Sequence, residues 1–84
     1  MKLTAELSLY PVQEDYIPVI EDFINSVRAH SDLDVVGNAM STQISGDSDR
    51  VVTVIRNALD VSHRQFGRQV LVAKFITGDF DLHS

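Results

Sequence analysis

Six side chains could do chemistry together: Glu6, Ser8 and Tyr10 in the segment Ala5-Glu6-Leu7-Ser8-Leu9-Tyr10-Pro11, and Ser41, Thr42 and Gln43 later in the chain. In an extended strand, alternate side chains share a face. Leu3, Ala5, Leu7 and Leu9 therefore fall on one side, and Thr4, Glu6, Ser8 and Tyr10 on the other. A core-forming strand gains nothing from a carboxylate and hydroxyls unless its second face is solvated or engaged. Ser41, Gln43 and Ser45 alternate in the same way. A carboxylate, two hydroxyls and an amide on one surface suit hydrogen bonding to an amino-substituted ring, because Gln43 both donates and accepts. Each group also has a plainer role. Ser8 and Ser41 read equally as solvated strand hydroxyls, and Tyr10 as a packing residue before proline. Glu6 reads as half of a cross-strand ion pair with Lys74. Thr42 points opposite to Ser41 and Gln43 in a regular strand. It reads as a small core residue unless a bulge, or a pocket between sheet and helix, reaches it.

Covalent and metal chemistry find little support. The chain of 84 residues has no cysteine, so no thiolate nucleophile, disulfide or thiolate metal site is available. His30, His63 and His83 show no ligand spacing, and no histidine pairs plausibly with a serine. No glycine-rich phosphate loop occurs. We expect a protein that is not an enzyme and holds neither metal nor cofactor. A formal net charge of −5 argues against a nucleic-acid partner, since no basic stripe exists to displace counterions. No apolar run approaches the roughly 20 residues of a membrane helix, and Met1-Lys2-Leu3 leads into an alternating strand rather than an apolar leader. A cytoplasmic protein without membrane partner is the expectation. One domain spanning residues 1–84 is small for a self-sufficient core, and oligomerisation is the usual remedy.

The elements that must position these residues can be read in order. A first strand covers residues 2 to 10 and stops at Pro11, which cannot donate to a ladder. Asp15 is a good N-cap for a first helix, with Pro18 in its opening turn. Tyr16, Ile20, Phe23, Ile24 and Val27 recur at helical spacing as its buried stripe, and the helix ends near His30. A second strand runs from Leu33 to about Ala39. A tight connection at Asn38-Ala39-Met40 leads to a third, Ser41 to Ser45. Asp47 then caps a second helix with Asp49 in its first turn, and Val51, Val54, Ile55, Ala58, Leu59 and Ser62 face inward. Gly67 stops it. A fourth strand covers Gln69 to Ile76 before a turn at Thr77-Gly78-Asp79.

Strand, helix, strand, strand, helix, strand is an α+β pattern. Two right-handed crossovers fold it as a ferredoxin-like sandwich, an antiparallel four-stranded sheet in order 4-1-3-2 with both helices on one face. The bare face then carries Glu6, Ser8, Tyr10, Ser41, Gln43 and Ser45. If Leu71, Ala73 and Phe75 point to the core, it also carries Val70, Val72, Lys74 and Ile76. Exposed aliphatics on an edge strand point to burial against another subunit.

The Ser-Leu-Tyr-Pro and Ser-Thr-Gln pieces, with Gly46-Asp47, Asp49, Lys74 and Gly78-Asp79, resemble the YkoF-like thiamine-binding family over almost the whole chain. The resemblance implies a ferredoxin-like domain that binds thiamine or its hydroxymethylpyrimidine moiety without transforming it. Glu6, Ser8, Tyr10, Ser41, Thr42 and Gln43 would then be the ligand-binding residues. It also implies self-assembly as dimers and pairs of dimers. The alternative from a different class is a structural or regulatory homo-oligomer with no small-molecule ligand.

Overall fold

The computed structural model describes residues 1–38 and 41–83. Among them the chain forms β1 (Lys2–Pro11), α1 (Ile17–Arg28), β2 (Asp34–Gly37), β3 (Thr42–Asp47), α2 (Ser48–Phe66) and β4 (Gln69–Thr77). All pairings are antiparallel, and the sheet order is β2-β3-β1-β4. Read from the other edge, this is the expected 4-1-3-2.

Alternation along β1 builds the core. Leu3, Ala5 and Leu7 are buried against Ile44 of β3, Phe23 and Val27 of α1, and Val51, Val54, Ile55 and Ala58 of α2. Removing such side chains from water contributes about 1.5–3 kcal/mol for each large aliphatic, before entropy is set against it. Ser62 is buried as expected, and Leu59 packs at the core margin.

Several boundaries depart from the sequence reading; β2 begins at Asp34 rather than Leu33, and β4 runs to Thr77 rather than Ile76. β1 runs through Pro11, which pairs in register with Gln69. A proline is accommodated there because it ends the strand, where only β4 flanks it. Helix α1 begins at Ile17 with Tyr16, not Asp15, at the N-cap position, and no side chain caps it. The preceding loop is closed instead by Tyr16 N–H donating to the Glu14 carbonyl (3.0 Å) and Gln13 Nε2 donating to the Asp15 carbonyl (2.6 Å). The helix ends at Arg28, two residues before His30. β3 starts at Thr42 rather than Ser41 and continues to Asp47, which occupies the α2 N-cap position without a side-chain cap bond. Of the connection read at Asn38-Ala39-Met40, residues 39 and 40 lie outside the described residues, as does the expected end of β2 at Ala39. Its flanks are tied by Asn38 N–H to the Ser41 carbonyl (2.9 Å) and Ser41 N–H to Asn38 Oδ1 (3.0 Å).

Two side chains also sit differently. Tyr16 is 52% exposed, and the fully buried stripe of α1 is Val19, Phe23 and Val27. Phe75 is 53% exposed although it pairs with the buried Ala5 on the helix side of the sheet. β4 is an edge, and the helices pack chiefly over β1, β3 and β2. Only Leu71 and Ala73 of β4 reach the core.

Beyond β4 the chain turns at Gly78, whose φ of +118° is a conformation that favours glycine. It then crosses one end of the bare sheet face. Thr4 Oγ1 donates to the Gly78 carbonyl (3.1 Å), Ser45 Oγ donates to Asp79 Oδ1 (3.1 Å), and His83 Nε2 meets Asp34 Oδ1 at 2.7 Å. The tail thus touches β1, β3 and β2 in turn. Its cover explains why Thr4 and Ser45, on the non-helical face, are buried.

Candidate functional site

The sheet is uneven at the end where β1 finishes. Register pairs Leu7 with Thr42, the first residue of β3, while β1 continues through Ser8, Leu9, Tyr10 and Pro11 beside β4 alone. A cleft of about 400 Å³ opens there, between the projecting end of β1, the first half of α1, and Asn38, Ser41 and Thr42. That volume lies within the roughly 300–1,000 Å³ of small-molecule sites.

Much of the cleft lining is apolar. Leu7 and Leu9 form its floor, and Ile20, Phe23 and Ile24 come from α1. Tyr10 and Tyr16 stand half-exposed at the mouth. The polar lining residues are Ser8, Asn38, Ser41 and Thr42, with Thr42 directly beside Leu7 across the β1–β3 pairing. No charged side chain lines it among the described residues. Four of the six expected residues therefore meet here: Ser8, Tyr10, Ser41 and Thr42. Thr42 faces the core and is only 5% exposed, as strand alternation requires, yet the cleft reaches it because the sheet ends beside it.

Glu6 and Gln43 stand behind Ser41 rather than on the cleft wall. They pair across β1 and β3 on the bare face. Ser41 Oγ donates to Glu6 Oε2 (3.1 Å), and Gln43 Nε2 donates to Ser41 Oγ (2.9 Å) and, more loosely, to Glu6 Oε2 (3.5 Å). Lys74 Nζ lies 3.8 Å from the other carboxylate oxygen, Oε1, with the lysine side chain 78% and the glutamate 44% exposed. Both readings of Glu6 are present in one arrangement: an ion pair on one oxygen and a serine hydroxyl on the other.

Sequence reasoning missed Tyr16, Ile20 and Ile24 as cleft residues by merging them with the core stripe. Two series of three residues, spaced four apart, run along α1 and its N-cap, Val19–Phe23–Val27 and Tyr16–Ile20–Ile24, and only the first is fully buried. Asn38, expected only as part of a tight connection, has its side chain on the Ser41 backbone.

Elsewhere, Asp32 and Arg50 join the α1–β2 loop to the first turns of α2 at 2.8 Å, and the guanidinium hydrogen bond holds the Asp32 carboxyl below its ordinary range. Among the described residues, no group of three His, Asp or Glu side chains could hold a metal ion, and no helix is long and apolar enough to cross a membrane.

Solved structures share this fold at low identity. A Streptococcus pneumoniae protein superposes with a TM-score of 0.85 at 21% identity, covering 94% of this chain and 89% of that one. A Methanocaldococcus jannascii hypothetical protein gives 0.81 at 22%, covering 99% and 87%. A Thermotoga maritima protein whose suggested role is thiamine biosynthesis or salvage gives 0.80 at 17%, covering 96% and 85%. No curated protein matches the sequence. The sequence does match the model of the YKOF-related family over residues 2–79, nearly its whole length, and the chain belongs to that family.

Proposed function

We propose that the cleft binds thiamine or its hydroxymethylpyrimidine moiety reversibly and leaves it unchanged. The observation that carries this reading is the mixed lining, in which aliphatic and aromatic residues stand with Ser8, Ser41 and Thr42. A flat ring buries its faces against the apolar groups and satisfies its edge on the polar ones. Tyr10 and Tyr16 at the mouth offer aromatic faces to a cationic thiazolium, an attraction of about 0.5–2 kcal/mol. The net charge of −5 favours the same cation over long range. Family membership and the suggested role of the Thermotoga maritima relative support the choice of ligand. The polar groups at the cleft are hydroxyls and an amide backed by a carboxylate, an arrangement suited to holding a ring rather than breaking one.

The same reading takes the chain as one ferredoxin-like domain that assembles as a dimer and then a pair of dimers in the cytoplasm, with neither nucleic acid nor membrane as partner. Assembly is favoured by β4, an edge strand on which Val70, Val72, Phe75 and Ile76 are all about half exposed. That observation alone would serve the second reading, a structural or regulatory homo-oligomer without ligand.

Calorimetric titration with thiamine and with hydroxymethylpyrimidine tests the choice. Several hydrogen bonds of about 0.5–1.5 kcal/mol each, plus ring burial, support micromolar affinity, near −8 kcal/mol. Ser8→Ala and Tyr16→Ala should each weaken it several-fold without dissociating the oligomer. No heat with either ligand would leave the structural reading standing.

A further inference from the structure

The hydrogen bonds behind Ser41 fix what that residue can offer to a bound molecule. An ionised carboxylate only accepts, so with Glu6 Oε2 at 3.1 Å the Ser41 hydroxyl proton is committed to it. Gln43 is oriented by the same oxygen. Its Nε2 lies 3.5 Å from Glu6 Oε2 and 2.9 Å from Ser41 Oγ, and turning the amide over would set its carbonyl against the carboxylate. Ser41 Oγ thus has its proton and one lone pair in use, and its remaining capacity is as an acceptor. A serine hydroxyl normally rotates to suit either kind of partner. Here it cannot do so without abandoning a charge-assisted hydrogen bond, the stronger kind.

We infer that Glu6, acting through Ser41, makes this point of the cleft wall select a ring bearing a hydrogen-bond donor, an amine, and reject the same ring bearing a carbonyl at that position. Glu6 is a positioning residue in this scheme: it does not line the cleft, and its charge sets the polarity of the residue that does. The inference rests on the ring-binding reading above and adds to it the substituent that is read. Mismatched acceptors facing each other are left unpaired and desolvated, which is why sites built to hydrogen-bond a substituent discriminate far more sharply than apolar pockets. Lys74 supplies the control. Its Nζ lies 3.8 Å from the other oxygen, Oε1, and its side chain is largely in solvent.

The test compares thiamine with its 4-oxo analogue, in which the ring amine is replaced by a carbonyl, by calorimetry on the intact protein. The parent should prefer the amino ring by about tenfold or more, a difference of about 1.4 kcal/mol. Glu6→Gln keeps the shape of the side chain but can donate, which frees the Ser41 proton to turn into the cleft; the preference should fall to about threefold or less. Ser41→Ala, which removes the acceptor without touching the charge, should lose it as well, and Lys74→Met should retain it. Equal affinity for the two rings in the parent would overturn the inference while leaving the binding reading intact. A preference that survives both Glu6→Gln and Ser41→Ala would also overturn it. No binding of either ring would overturn the binding reading and this inference with it.

Discussion

Glu6 shows how much one side chain's neighbours decide. Its two oxygens face different partners, a lysine in solvent and a serine at the cleft, and the two relationships differ in consequence. The Glu6–Lys74 pair is too exposed to stabilise strongly. A double-mutant cycle with Glu6→Gln and Lys74→Met should give a coupling energy under about 1 kcal/mol by denaturant unfolding. A coupling of several kcal/mol would mean that another subunit buries the pair. Packing sets a second test. A Cβ at Gly46 would strike Leu33 Cδ2, and Leu33 is held in the core. Gly46→Ala should therefore cost about 1–3 kcal/mol, seen as a lower midpoint in chemical denaturation; an unchanged midpoint would show that Leu33 repacks freely. Alternation made most of these positions legible: it placed Glu6, Ser8 and Gln43 on one face and Thr42 on the other. It could not show that Thr42 would border a cleft, because that depends on where β3 starts relative to the end of β1.

Elements were legible in type and order, and less so at their ends. Helix α1 shows why. Asp15 has the right chemistry for an N-cap, but loop bonds around Glu14 and Asp15 carry the start on to Ile17. Tyr16 was thereby moved out of the buried stripe and to the mouth of the cleft, the largest loss in reading the site from sequence. The course of the chain after the Thr77-Gly78-Asp79 turn is not legible in the sequence, since its partners are distant: Asp79 reaches Ser45, and His83 reaches Asp34. That tail gives a pH prediction. The hydrogen bond to Asp34 first, and its charge with that of Asp81 second, hold the His83 imidazole above the ordinary histidine range. The folded chain therefore keeps this proton to higher pH than the unfolded one. The latch is complete below the ordinary histidine value and is lost as pH rises through the raised one. Amide exchange in residues 79–83 should accelerate across that rise beyond its intrinsic pH dependence, and His83→Ala should remove the extra step. Equal protection on both sides of the titration would show that His83 does not hold the tail.

For the whole molecule, an antiparallel sheet with both helices on one face follows from the order of elements, and the structure bears it out. What the order does not reveal is how far the helices reach, and of β4 they cover little beyond Leu71 and Ala73. Phe75 is exposed for that reason despite its core-facing register. With apolar side chains bare on both faces of an edge strand, burial against a second copy is the expected outcome. Light scattering at micromolar concentration should give a mass above that of a monomer, and Val72→Lys with Ile76→Lys should shift it downward. A monodisperse parent monomer would contradict assembly through β4. The most direct test of the central claim is a two-dimensional NMR titration of the labelled protein with thiamine. Saturable shifts should concentrate at Ser8, Leu9, Tyr16, Ser41 and Thr42, with the ligand recovered unchanged. Shifts confined to the hollow between α1 and α2 around Asp22, Val61 and Gln65, or none at any concentration, would contradict that claim.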